Sequence, residues 1–122
     1  TVRSNEVMYE LVRSVKRAGY KTGIISSNPR ERMESLNKHL GLDEMFDVIA
    51  HSAHVGSMKD ERPIFKYALS SVDASAGESI FIDNHEGNLV VPKEMGFQTY
   101  FHDQEKNDVA ALQSFLQKQG VL

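Results

Sequence analysis

An α/β fold with a parallel sheet is the architecture that this 122-residue sequence predicts. Three observations predict it. Amphipathic segments alternate with short apolar runs along the chain. The apolar runs are bounded by turn residues and suit strands covered on both faces. Several runs are followed by polar residues capable of chemistry, at the strand ends where an open α/β sheet gathers its ligands.

Taken in order, Glu6–Ala18 is predicted to be helical. Val7, Met8, Leu11, Val12 and Val15 form one stripe, Glu10, Arg13 and Arg17 lie elsewhere, and Gly19 ends the pattern. The run TGII, Thr22–Ile25, is predicted as the first strand. A second helix is expected over Pro29–Leu40, with Met33, Leu36 and Leu40 as its apolar residues. Asn28, Pro29 and Glu31 supply the cap, the first-turn proline and the capping-box acid. The second strand is Phe46–Ala50, and Ser52–Lys59 reads as a loop. The third helix, Pro63–Val72, carries Ile64, Phe65, Ala68, Leu69 and Val72. Strands at Ser79–Ile82 and Gln98–Phe101 precede a last helix, Asp108–Lys118, with Val109, Leu112, Phe115 and Leu116. No internal repeat or linker divides the chain, so residues 1–122 read as one domain.

Composition narrows the function. The chain has 14 Lys and Arg against 17 Asp and Glu, a net charge of -3, and no basic run. Nucleic-acid binding leaves a basic footprint, so nucleic acid is not expected as a partner. No apolar stretch approaches the roughly 20 residues that span a bilayer, so no membrane is expected either. The amino terminus, TVRSNEV, has no signal-peptide apolar region. The absence of Cys removes disulfides and thiolate metal sites, and agrees with a cytoplasmic protein.

Three strand ends carry interpretable chemistry. After TGII come Ser26, Ser27 and Asn28, ahead of the helix that Pro29 opens. Free backbone N–H groups and the partial positive charge of a helix start favour an anion such as phosphate, and Ser26 would add a hydroxyl donor. Ordinary capping explains the same residues without a ligand. Lys59, before the helix at Pro63, could reach a phosphate as a point charge, or it could be a solvated surface lysine. Asp83 and Asn84, after SIFI, place hard oxygen donors where Mg²⁺ could bind, although both also make good turn residues. His51 and His54, three apart, sit where a strand leaves into a loop and are not read as a metal site. His85 reads as a solvated loop residue, and Met45, Met58 and Met95 as packing.

Together the three sites resemble motifs two, three and four of the haloacid dehalogenase-like (HAD) hydrolase superfamily. KTGIISSN resembles motif two, with Ser26 in the place of its Ser or Thr. KDERPIF resembles motif three, with Lys59, Ile64 and Phe65 at the family spacing. FIDNHEGNLVVPKEMG resembles motif four: Asp83, Asn88 and Gly96 match, whereas Asn84 replaces the second acid and Pro92 the usual Ala. The resemblance runs from about Glu6 to the carboxyl terminus.

This resemblance implies a Rossmann-like three-layer sandwich. It also implies phosphoryl transfer through an aspartyl-phosphate, in an Mg²⁺-dependent phosphatase acting on a small phosphorylated metabolite. Ser26 and Lys59 take catalytic places, Ser26, Ser27 and Lys59 hold phosphate, and Asp83 and Asn84 hold the metal. Motif one, an Asp-x-Asp on the family's central first strand, is absent, as is a cap. The chain alone is therefore expected to be inactive and to bind Mg²⁺ weakly. Without an initiator Met, and starting mid-pattern, it is expected to be part of a longer protein. The lost strand could instead be bypassed by direct pairing of the first and third strands, or replaced by a second copy in a homodimer. A catalytically inactive phosphate- or partner-binding module is the alternative function.

Overall fold

The computed structural model describes residues 2–26, 41–56, 59, 61–103, 105–106 and 108–122. Helix α1 is Val2–Arg17, followed by β1, Gly23–Ser26. A short α2, Leu42–Met45, precedes β2, Val48–His51, and α3, Ser52–Val55. Helix α4 is Arg62–Ser71, and a 3₁₀ turn at Ala76–Glu78 leads into β3, Ile80–Asp83. A second 3₁₀ turn, Glu86–Leu89, runs into α5, Val90–Met95. Strand β4, Gln98–Phe101, and helix α6, Val109–Lys118, complete the fold. No described helix is long and apolar enough to cross a membrane.

The expected α/β alternation holds, with boundaries shifted by at most four residues and the last strand, Gln98–Phe101, as expected. The helix expected at Pro29–Leu40 and its cap at Asn28 lie outside the described residues. Three local features differ from expectation. Ser52–Val55, expected as loop, forms one helical turn closed by Gly56, whose φ of 76° favours a residue without Cβ. Leu42–Met45 was not anticipated. Neither was α5, in which Pro92 falls in the first turn, where its missing N–H costs no hydrogen bond.

Alternate strand residues face opposite layers. Ile25, Ala50 and Phe81 pack with Ile64 and Phe65 of α4 and with Phe97. On the other face, Ile24 and Ile49 pack with Tyr9 and Val12 of α1 around Met45, while Ile80, Ile82 and Tyr100 pack with the cluster of Leu11 of α1 and Leu112 and Leu116 of α6. This is a three-layer sandwich with two-sided burial of the strands, the condition that makes parallel strands read as continuous apolar runs.

The central layer is divided. β1 pairs with β2 in parallel, and β3 with β4 in parallel. Among the described residues no strand hydrogen bonds join the two pairs. Direct pairing of β1 with β3, one of the arrangements considered from sequence, does not occur. Instead α1 packs on both pairs from one side and α4 on both from the other.

Candidate active site

The four buried polar residues among those described are Ser26, His51, Asp83 and His102. Ser26, His51 and Asp83 are the last residues of β1, β2 and β3, and His102 follows β4 directly. Apolar strand interiors leave only the carboxyl ends for buried polar groups. Burial there calls for partners, because an unpaired polar group loses its hydration without compensation.

Asp83 has the densest set of partners. Its Oδ2 accepts a hydrogen bond from Lys59 Nζ at 3.1 Å, an ion pair in which the two side chains are 5% and 20% exposed. Its Oδ1 accepts the backbone N–H of His85 at 2.9 Å and the Asn88 side-chain amide at 3.4 Å. The bond two residues along the chain is an Asx turn, which forces the backbone to bend as it leaves β3. His85 then caps the next turn: its Nδ1 accepts the Gly87 N–H at 3.1 Å. A Cβ on Gly87 would lie 3.0 Å from the His85 ring, so a side chain there would crowd the cap. The His102 N–H donates to the Asp83 carbonyl at 2.9 Å, which anchors the chain beyond β4 to the end of β3.

Lys59 lies beyond α3 on the chain leaving β2. Its contact with Asp83 therefore ties the carboxyl end of β2 to that of β3. Of the residues that sequence reading nominated, the structure joins Lys59 and Asp83 directly. Asn84 is exposed and next in the chain to Asp83, and Ser26 is buried at the end of the neighbouring pair. Ser27 lies outside the described residues. Among the described residues no three His, Asp or Glu side chains gather as metal ligands. Asp83 and Asn84 offer one carboxylate and one amide oxygen, a donor set compatible with Mg²⁺ if substrate oxygens and water complete it. The ammonium of Lys59 holds one of those carboxylate oxygens.

His51 was weighed from sequence only as a metal ligand and set aside, and its burial was not anticipated; His102 was not singled out. Each follows an apolar run by position alone, and that placement was the available signal. A depression of about 380 Å³ lined by Arg13, Lys16, Arg17, Gly41, Glu44 and Met45 lies at the carboxyl end of α1, away from the strand ends.

The family model described as haloacid dehalogenase-like hydrolase matches residues 1–101. A pyrophosphatase PpaX of Bacillus cereus is 32% identical over 98 residues, which are 80% of this chain and 45% of the relative. PpaX of Bacillus anthracis is 31% identical over the same shares. The chain thus spans about half the length of the curated relatives it matches. Among solved structures, a HAD phosphatase from Thermococcus onnurineus is 26% identical with a TM-score of 0.68, over 74% of this chain and 42% of that one. An uncharacterized protein from Corynebacterium glutamicum shares the fold with a TM-score of 0.79 at 20% identity, over 92% of this chain and 82% of that one. With the family model matching residues 1–101 and a relative 32% identical over 80% of its length, the chain belongs to the haloacid dehalogenase-like hydrolase family.

Proposed function

We propose that this chain is the phosphate-holding part of a phosphatase for a small phosphorylated metabolite. The observation that carries the reading is the Lys59–Asp83 pair at the carboxyl ends of the strands. In this reading Ser26 donates its hydroxyl to a phosphoryl oxygen. Lys59 moves its ammonium from Asp83 to the incoming phosphate and offsets negative charge as phosphorus is attacked. Asp83 and Asn84 would then hold Mg²⁺. When bound, the cation supplies charge neutralisation between phosphate and nucleophile.

The attacking carboxylate is assigned to a segment outside these 122 residues. It would form an aspartyl-phosphate by expelling the leaving oxygen, and water would then cleave the acyl phosphate. The Asp-x-Asp pattern is absent from the sequence, and the relatives are about twice as long. Both support this assignment. The name of the Bacillus relatives makes inorganic pyrophosphate the first substrate to assay, beside a generic phosphomonoester.

The purified chain with Mg²⁺ is expected to show no turnover. A longer protein that adds an apolar strand ending in Asp-x-Asp should turn substrate over, and Lys59→Met should lower its kcat by about 10²-fold or more. Turnover by the 122 residues alone would place the nucleophile elsewhere. A second reading, an inactive phosphate-binding module, is favoured by Asn84 and by the engagement of Asp83 with Lys59. It predicts phosphate binding without turnover in the longer protein too.

A further inference from the structure

His51 is 7% exposed, and neither ring nitrogen has a hydrogen-bond partner. A buried imidazole carries at least one N–H donor, and leaving it unmatched costs stability. Such a group persists where something other than folding requires it. Its position says what that is. His51 is the register partner of Ser26 across the parallel β1–β2 pair, which sets their Cα atoms about 5 Å apart, with side chains on the same face. The chain leaving His51 leads through α3 to Lys59, which grips Asp83. His51 also occupies the amino-terminal position of α3 without capping it, so helix capping does not account for it.

We propose that His51 is a phosphate-binding residue that donates a ring N–H to a phosphoryl oxygen held beside Ser26. The proposal rests on the phosphate site described above and adds a ligand contact to it. The unmatched donor is then satisfied on binding, and a cost carried by the free protein becomes part of the affinity.

The test uses the 122-residue chain and inorganic phosphate. The His51 ring nitrogen signals in NMR are expected to move and saturate as phosphate is added. His51→Leu removes the contact and should weaken phosphate binding about tenfold, while His51→Gln keeps a donor and should lose less. A purely structural histidine would behave in the opposite sense. Replacing it by leucine would lower Tm, whereas removal of an unmatched polar group should leave Tm equal or raise it. If phosphate perturbs Ser26 and Lys59 but leaves the His51 ring signals and the His51→Leu affinity unchanged, the inference falls and the phosphate site stands. If phosphate perturbs none of the three, the site and the inference fall together. Should His51→Leu not fold, the ring signals of the unaltered chain decide.

Discussion

Lys59 and Asp83 illustrate how one side-chain pair can serve both fold and chemistry. Asp83 is nearly enclosed, and its second oxygen already accepts two N–H donors, so the loss of Lys59 leaves a charge only partly matched. Lys59→Met should destabilise the chain by about 1–3 kcal/mol. The double variant with Asp83→Asn should recover part of that loss, read by denaturant unfolding as a coupling in a double-mutant cycle. The same lysine substitution should tighten Mg²⁺ binding measured by calorimetry, because a competing ammonium leaves the carboxylate. Weaker binding would remove Lys59 as a competitor. The strand-end places of Ser26 and Asp83 and the place of Lys59 ahead of a helix were legible in the sequence, because each follows an apolar run or precedes a helix at a recognisable spacing. His51 was not, because a histidine after FDVIA looks the same whether its ring is solvated or enclosed. Only the pairing of β2 with β1 brings it beside Ser26.

Elements show where pattern reading succeeds and where it stops. Helix α4 was legible because Ile64, Phe65, Ala68 and Leu69 fall on one helical face. Both Ile64 and Phe65 are fully buried, and Phe65 meets Phe81 and Phe97 edge-on at 5.1 and 5.8 Å between ring centroids. Phe65→Ala should therefore cost about 3–5 kcal/mol, seen as a fall in Tm of more than about 10 °C. Helix α5 was hidden because six residues carry too little periodicity to show a helical stripe. At the amino ends of β1 and β2, Asp47 Oδ2 accepts the Thr22 N–H at 2.8 Å, and Lys16 lies 3.6 Å from Oδ1. The Thr22 hydrogen bond, then the nearby lysines, hold the Asp47 carboxyl below its ordinary value near 3.8. Its folded value lies below its unfolded one, so its contribution is complete above about pH 4. That contribution is lost as pH falls through the folded value. Asp47→Asn should flatten the acid side of the stability profile in urea melts at pH 2–5, and should leave activity in the longer protein unchanged.

At the scale of the molecule, the central layer is two parallel pairs clasped by α1 on one face and α4 on the other. The apolar runs showed four strands and their parallel sense, whereas the division was implied only by the resemblance, whose central first strand this sequence lacks. Strand neighbours are set by backbone hydrogen bonds, which leave no mark on side-chain pattern. A longer protein whose added strand joins the two pairs should melt several degrees higher than the 122-residue chain, in matched calorimetric scans. Equal melting temperatures would mean that the added segment packs elsewhere. The clasp also bears on the order in which the chain loses structure. Because no strand hydrogen bond among the described residues joins the halves, each half is free to open on its own, as a separate cooperative unit. Amide exchange should then resolve two protection levels, one shared by β1 and β2 and another by β3 and β4.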